Sequence, residues 1–178
     1  AARRMVEEID RVVARVDEFL QFSRPIEPAL APVPLPTLFA DMTALIEADL
    51  APREGAVAIE GEPLAVLADA GMLRQILLNL LVNAAQAIGP RGRIRLRAAA
   101  ADDGTVAIEV ADDGAGIPAG ELGKVFRPYY SLRPGGTGLG LAIVRRLAEA
   151  HGWQVAIESA VGAGTTVRIA GIRGTAVP

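Results

Sequence analysis

Apolar residues recur with helical spacing in the first 23 residues of the chain. The intervals between them alternate between four and three, at Met5, Ile9, Val12, Val16 and Phe19, which predicts a helix with one apolar face. Further apolar residues beside this row make the face wider than a two-stranded seam, and such a width is typical of a four-helix bundle. A single helix cannot bury this face, so we expect a homodimer through it; a helix folded back on its own domain is the alternative.

Prolines interrupt this pattern between residues 25 and 36. Five prolines stand in these twelve residues, and each one fixes its own φ and disfavours helix in the residue before it. We therefore divide the chain into a bundle helix over 1–24, a semi-rigid linker over 25–36, a domain over 37–172 and a short tail over 173–178.

Within the domain, apolar residues follow helical spacing in three segments and alternate with polar ones in several short segments. We predict helices over 37–50, 70–88 and 139–151, the last ended by Gly152. We predict strands at Ala56–Glu60 and Leu64–Ala68, around 94–98 and 106–110, and near 154–159 and 165–170. Strands in hairpin order with a few helices between them favour an α+β sandwich, in which helices cover one face of a sheet.

Composition excludes several kinds of chemistry. The 178 residues include no Cys and a single His, His151, which excludes disulfides, a thiolate nucleophile and a zinc site built from Cys or several His. The formal net charge of -3 argues against nucleic-acid binding, which needs a basic surface. The apolar runs are shorter than the roughly 20 residues that span a bilayer, so we expect no membrane contact by this region.

Three glycine-rich loops adjoin the predicted elements. Asp112–Pro118 follows a strand, Gly135–Gly140 precedes a helix, and Gly162–Thr166 precedes a strand. Glycine lets the backbone approach a ligand closely, and a loop that opens a helix offers its N–H groups to phosphate oxygens. The sequence lacks the Gly-Lys-Ser/Thr of a Walker loop, so these loops indicate a different kind of nucleotide site.

A row of amides follows the predicted helix over 70–88. Gln75, Asn79 and Asn83 recur every four residues on a helix that is otherwise mostly apolar. A buried amide without a partner costs about 1–3 kcal/mol, so these side chains need partners. An amide oxygen is a suitable ligand for Mg²⁺; the alternative is that the neighbouring backbone satisfies the amides.

Taken together, these motifs resemble the ATP-binding catalytic domain of two-component sensor histidine kinases, which belongs to a superfamily with gyrase, Hsp90 and MutL. The similarity runs in order from Asp69 to Ile169. Its motifs are an N box at 77–84, a G1 box at 112–116, an F-box aromatic at Phe126, a G2 box at 136–140 and a G3 segment at 162–164. The short lid between Phe126 and Gly135 is similar to that of nitrogen-regulator-type kinases.

The resemblance implies a fold and a site. The fold is the Bergerat α/β sandwich, a mixed, largely antiparallel sheet with helices on one face, here preceded by the bundle helix. Asp112 would accept a hydrogen bond from the adenine amino group, with support from Thr165, and Asn83, assisted by Asn79, would coordinate Mg²⁺ between the phosphates. The further nucleotide contacts implied are Gly114, Gly116 and Ile117 in the first loop, Thr137, Gly138, Leu139 and Gly140 in the second, and Arg133, whose guanidinium would clamp the phosphates.

Position 79 bears on the reaction. Related ATPases carry a Glu four residues before the Mg²⁺-binding Asn, where it acts as a general base, and this chain has Asn79 there. The resemblance therefore implies a protein-histidine kinase that binds Mg·ATP and donates the γ-phosphoryl group to a His outside this sequence. An Asp in the receiver domain of a response regulator would then accept it. The alternatives are an ATPase or protein serine kinase of the superfamily, and a non-catalytic module that senses nucleotide or dimerises.

His151 lies near the end of a predicted helix, where we expect it to have a structural role and not to accept phosphate. No side chain of the chain is assigned a catalytic role beyond holding the nucleotide, and we do not expect the isolated chain to phosphorylate itself. The resemblance implies a cytoplasmic location for this region and leaves open whether the parent protein is anchored in a membrane.

Overall fold

The computed structural model describes residues 27–133 and 135–176, so the predicted bundle helix over 1–24 lies outside the described residues. Apart from β1, the α-helices and strands follow the order predicted from the apolar pattern. They are β1 (Ala31–Pro34), α1 (Leu35–Leu50), β2 (Ala56–Gly61), β3 (Ala65–Ala68), α2 (Ala70–Ala87), β4 (Arg93–Ala100), β5 (Thr105–Asp112), α3 (Gly140–Ala150), β6 (Gln154–Ala160) and β7 (Gly164–Thr175).

The seven strands of the described residues form one sheet, in which six follow the order β1-β3-β7-β5-β4-β2 and β6 pairs with β7 beside this row. The long strand β7 pairs with β5 along one edge, and its other edge is shared between β6 at one end and β3 at the other. Every pairing is antiparallel except that of β2 with β4, which is parallel. The prediction of an α+β fold with a mixed, largely antiparallel sheet is therefore confirmed.

Within the described part of the chain, a hydrophobic core lies between the helices and one face of the sheet. Alternation along β4 turns Ile94 and Leu96 inward, and Ile108 on β5 and Ile169 on β7 are also fully buried. Burial of one such side chain stabilises the fold by about 1.5–3 kcal/mol. Among the described residues, no helix is long and apolar enough to cross a membrane.

Two segments outside the predicted limits of 37–172 belong to the sheet. Ala31–Pro34, in the predicted linker, pairs with β3, and β7 continues to Thr175, within the predicted tail. Proline is compatible with β1 because this is an edge strand, where a missing N–H removes no bond from the sheet. Helix α1 also begins two residues earlier than predicted, since its second residue, Pro36, suits a first helical turn. The domain limits themselves stay predictions.

Asp69 ties the start of α2 to the chain that precedes the sheet. Its Oδ1 accepts a hydrogen bond from the N–H of Met72 at 3.0 Å, which caps the helix, and its Oδ2 accepts from the N–H of Ala29 at 3.0 Å. The N–H of Met72 is the main reason why the pKa of Asp69 lies below its usual value, although burial opposes it. The ionised carboxylate is thus the form that this cap favours.

His151 joins the end of α3 to the start of α2. Its Nδ1 lies 2.8 Å from the carbonyl oxygen of Leu147, and its Nε2 accepts a hydrogen bond from the N–H of Asp69 at 3.1 Å. The ring also stacks on Trp153 with 4.0 Å between centroids. Both ring nitrogens therefore have partners within the fold, in agreement with the structural role expected for this residue.

We predict that Asp69→Ala lowers the free energy of unfolding by about 1 kcal/mol, as is usual for the loss of a helix cap. Because the folded-state pKa is lowered, this stabilisation is present above the unfolded pKa and is lost as the pH falls through the folded value. Urea denaturation should show the difference from wild type at pH 7 and its decrease below the ordinary carboxyl pKa of 3.8. Asp102→Ala, in an exposed turn, is the control; an equal loss there would contradict the assignment.

Candidate functional site

Two amides of α2 lie against the first residue of α3. Asn79 donates a hydrogen bond from Nδ2 to the carbonyl oxygen of Gln75 at 2.9 Å, which turns its Oδ1 away from that carbonyl. A Cβ added to Gly140 would lie 3.2 Å from Oδ1 of Asn79 and 3.4 Å from Nδ2 of Asn83. The predicted amide row and the predicted glycine loop therefore meet, and both Asn side chains are half-buried at this boundary.

The N-terminus of α3 is open to an anion. No side chain caps it, and Leu139, which precedes it, buries its side chain in the core. The N–H of Leu139 lies 3.4 Å from Oγ1 of Thr137, at the limit of a hydrogen bond. The N–H groups of a first helical turn have no partner within the helix and carry a positive partial charge, so this turn can bind phosphate oxygens beside Asn79 and Asn83.

A carboxylate stands at the end of β5. Asp112 lies directly opposite Thr165 of β7, and its Oδ1 accepts a hydrogen bond from the N–H of Gly114 at 2.9 Å. Burial raises the pKa of Asp112 above its usual value; the backbone N–H groups of Gly114 and Thr165 and the charge of Arg133 act in the opposite direction, while Asp113 adds to the rise. Asp112 is thus a half-buried acceptor with one oxygen already in use.

Glycines in the first and third loops allow backbone segments to pack closely against each other at this end of the site. A Cβ on Gly164 would overlap the carbonyl oxygen of Asp112, and one on Gly116 would overlap that of Ala160. Both residues also have positive φ, at +87° and +70°, a region that glycine adopts without cost. A Cβ on Gly114 would lie 2.5 Å from the carbonyl oxygen of Ala87. The protein's own backbone therefore requires these glycines, whatever ligand binds.

Ser159 was not among the predicted site residues, yet it connects the first loop to the third. Its Oγ accepts a hydrogen bond from the N–H of Ile117 at 2.8 Å, donates to the carbonyl oxygen of Gly164 at 2.8 Å, and lies 2.9 Å from Oγ1 of Thr165. A serine three residues before Gly162 was the available signal, but its partners depend on the register that places it opposite Thr165.

Arg133 lies over the C-terminal half of α2. Its Nη1 donates to Oε1 of Gln86 at 2.6 Å, and its Nη2 donates to the backbone carbonyl of Asn83 at 3.2 Å. The guanidinium is also close enough to Asp112 for the two charges to interact. The structure thus brings Arg133 to the amide row, beside the helix that carries the predicted metal ligands.

The lid packs closely on the second glycine loop. A Cβ on Gly138 would lie 2.5 Å from the backbone of Tyr129, which has a φ of 64°. Tyr129 is 62% exposed, whereas Tyr130 is half-buried and its ring centroid lies 6.0 Å from the amine of Lys124. Arg145 of α3 lies 5.4 Å from the ring centroid of Phe126. The predicted aromatics therefore belong to the packing of the lid, except for the exposed ring of Tyr129.

A metal ion at this site would need ligands other than clustered carboxylates and imidazoles. Among the residues described, no group of three or more His, Cys, Asp or Glu side chains could hold one. The oxygen donors next to the open helix end are the amides of Asn79 and Asn83. This donor set fits a hard cation such as Mg²⁺ that keeps water and substrate oxygens in its shell.

Comparisons with known proteins agree with this geometry. Residues 68–173 match the family model described as histidine kinase-, DNA gyrase B-, and HSP90-like ATPase. The chain is 38% identical over 162 residues to the sensor histidine kinase ZraS of Klebsiella oxytoca, which covers 90% of this chain and 35% of ZraS. It is 34% identical over 164 residues to the histidine-protein kinase AtoS of Escherichia coli K12, covering 91% of this chain and 27% of AtoS.

A solved structure is similar over nearly the whole chain. Full-length ShkA in complex with AMPPNP superposes with a TM-score of 0.85 at 33% sequence identity, covering 97% of this chain and 38% of ShkA. The chain thus spans about a third of the length of these relatives.

We predict that Gly164→Ala lowers the free energy of unfolding by about 2–5 kcal/mol, because a positive φ costs about 1–2 kcal/mol and overpacking about 1–3 kcal/mol more. Gly162→Ala is the matched control: Gly162 has a φ of +76° but open space around its Cβ position, so it should lose only the first of these amounts. Chemical denaturation measures both. Equal losses in the two variants would show that contact with Asp112 is not what requires the glycine.

Proposed function

Because the chain belongs to the family of histidine kinase-, DNA gyrase B- and HSP90-like ATPases, we propose that it is the ATP-binding catalytic part of a sensor histidine kinase. The domain binds ATP with Mg²⁺ and donates the γ-phosphoryl group to a histidine carried by a separate segment. The observation that carries this proposal is the contact between the amides of Asn79 and Asn83 and the open N-terminus of α3 at Gly140.

The adenine binds at the end of β5. Asp112 keeps one carboxylate oxygen free of the N–H of Gly114, and that oxygen accepts a hydrogen bond from the exocyclic amino group. Guanine has a carbonyl oxygen at the same position, and a carboxylate repels it. Thr165, opposite Asp112, supports the base from β7, and the backbone from Gly114 to Ile117 forms the wall beside the ribose.

The phosphates bind at the N-terminus of α3. The N–H groups from Gly138 to Gly140 and the hydroxyl of Thr137 are the available donors, and the helix dipole favours negative charge there. Arg133 lies near, bound to Gln86 and to the carbonyl of Asn83. Its planar guanidinium is able to exchange these neutral acceptors for two phosphate oxygens, which bind it more strongly.

Asn83 and Asn79 hold the metal. When bound, Mg²⁺ neutralises charge on the phosphates, which is a main requirement of phosphoryl transfer. The hydrogen bond from Asn79 to Gln75 fixes which atom of the amide faces α3, and it leaves the oxygen free to coordinate. Asn83 lies one turn further along α2 on the same side of the helix, and its Oδ1 and Nδ2 are 3.7 Å and 3.4 Å from the Cβ position of Gly140.

The residue at position 79 favours transfer over hydrolysis. Hydrolysis needs a base that takes a proton from water, and an amide cannot do so. With Asn79 donating to the backbone of its own helix, the site holds and orients the triphosphate but does not activate water. In the transfer, the bond between the γ-phosphorus and the bridging oxygen breaks, and a bond to the histidine nitrogen forms.

The proposal includes the partners of the intact kinase. The acceptor histidine lies on a helix of the dimerisation domain, which the apolar face of residues 1–23 would help to form as a homodimer. An Asp of a response-regulator receiver domain then takes the phosphoryl group from the histidine. His151 is not the acceptor, because both of its ring nitrogens are engaged within the fold.

We predict that the chain transfers phosphate to histidine but hydrolyses ATP slowly. The experiment mixes the chain with Mg²⁺, γ-labelled ATP and the helix pair of the parent kinase that carries the acceptor. Acid-labile label should appear on the helix pair, and Asn83→Ala should reduce its rate at least tenfold, the effect of about 1.4 kcal/mol lost from the transition state. Asn79→Ala is tested in parallel: rapid steady-state hydrolysis that this substitution abolishes would refute the kinase assignment.

We predict that Asp112→Asn weakens ATP binding about ten- to a hundredfold, the range for a hydrogen bond to a charged group. Burial raises the pKa of Asp112 above the ordinary value of 3.8. As the pH falls, the wild-type carboxylate therefore takes up its proton at a higher pH than an ordinary Asp would. In acid, the affinity of the wild type for ATP therefore declines toward the affinity of Asp112→Asn. Protonation of the phosphates affects both proteins equally, so the ratio of their affinities at each pH reports on Asp112 alone. Calorimetry measures both, with exposed Asp113→Asn as control. Unchanged affinity in Asp112→Asn would defeat the assignment.

A further inference from the structure

Ser159 touches three polar groups at the end of the site where Asp112 and Thr165 lie and where the adenine base is proposed to bind, here called the base end. Its hydroxyl oxygen accepts from the N–H of Ile117 at 2.8 Å, and it lies 2.8 Å from the carbonyl oxygen of Gly164 and 2.9 Å from Oγ1 of Thr165. A serine hydroxyl has one proton to donate and two lone pairs to accept with. Three contacts therefore use its whole hydrogen-bonding capacity.

These partners determine the direction of each hydrogen bond. The carbonyl oxygen of Gly164 can only accept, so the proton of Ser159 points to it. The N–H of Ile117 can only donate, and it occupies one lone pair. In the contact between the two hydroxyls, Thr165 is therefore the donor, since Ser159 has no second proton. The hydroxyl of Thr165 has only lone pairs left to offer.

Thr165 presents those lone pairs beside Asp112. The two residues are direct partners in the register of β5 and β7, and the side chains of such a pair project from the same face of a sheet. The backbone N–H groups of Gly114 and Thr165 already donate to the carboxylate of Asp112, and its remaining lone pairs can accept further hydrogen bonds. A carboxylate and a hydroxyl that can only accept therefore lie on the same face of the sheet in neighbouring strands, and a group bound between them has to bring hydrogens.

We propose that Ser159 is a positioning residue that makes the site selective for a 6-aminopurine, by keeping the hydroxyl of Thr165 an acceptor. This inference rests on the proposed function, because it requires a purine nucleotide bound against Asp112. The 6-amino group of adenine brings hydrogens toward both acceptors. A 6-oxo group, as in hypoxanthine, brings lone pairs and is repelled. Without Ser159, the Thr165 hydroxyl is free to turn and donate to the 6-oxo group.

The test compares ATP with inosine triphosphate, which carries a 6-oxo group. Calorimetry in the presence of Mg²⁺ gives the dissociation constants of both nucleotides for wild type, Ser159→Ala, Thr165→Val and the double variant. We expect Ser159→Ala to lower the preference for ATP about tenfold, the size of one hydrogen bond gained by the wrong base. In the Thr165→Val background the same substitution should leave the preference unchanged, because no hydroxyl remains to turn. Ser159→Thr, which keeps the hydroxyl, should retain the wild-type preference.

A purely structural Ser159 gives a different result. In that case, Ser159→Ala weakens the binding of ATP and of inosine triphosphate by the same factor, or it changes the preference for ATP equally in the wild-type and Thr165→Val backgrounds. Either outcome overturns the inference. If wild type binds ATP selectively and only the predicted change is missing, the inference fails alone. If wild type binds neither nucleotide, the proposed function fails and the inference with it. Circular dichroism checks the fold; if Ser159→Ala does not fold, Ser159→Cys, whose thiol is a weak hydrogen-bonding group, is compared in the same way.

Discussion

The rotation of α2 about its own axis is the constraint on which the rest of the structure depends. Five buried Leu and Ile side chains on one face must lie on the core, and the helical period then brings Asn79 and Asn83 to the edge of that core, against α3. A rotation by one residue position, about 100°, would bury both amides and expose leucines. Since an unpaired buried amide costs about 1–3 kcal/mol, the packing of the core and the position of the predicted metal ligands are determined together.

At the base end, the corresponding constraint is the close approach of two backbones. Gly164 packs against the backbone carbonyl of Asp112, and Gly116 packs against that of Ala160. The first and third loops are therefore held together with the ends of β5 and β6. The same glycines that resemble a nucleotide motif are thus required before any nucleotide binds. Their motif is informative about function because it specifies a backbone arrangement that places Asp112, Thr165 and Ser159 together.

The parts of this structure that sequence reasoning predicted are those determined locally. Helical spacing and alternation depend on neighbouring residues, and they predicted α2 and the pairing partners β4 and β5 within a few residues. Strand β1 was missed because its prolines oppose regular structure, and only its pairing with β3 makes it a strand. The role of Ser159 depends on register between strands, and the contacts of Arg133 depend on how the lid folds over α2. Neither register nor lid geometry has a local signal.

The two ends of the site are held with unequal strength, and this difference suits the proposed role of a phosphoryl donor. The base end is fixed by backbone contacts that leave no room for a side chain. The lid, in contrast, is joined to α2 through the exposed hydrogen bonds of Arg133 to Gln86 and to the carbonyl of Asn83. Because these bonds are exposed and their acceptors are neutral, exchanging them for charged phosphate oxygens, which bind a guanidinium more strongly, costs little. For the proposed kinase, this means that adenine would stay bound at the base end while the groups around the γ-phosphate rearrange to admit the acceptor histidine.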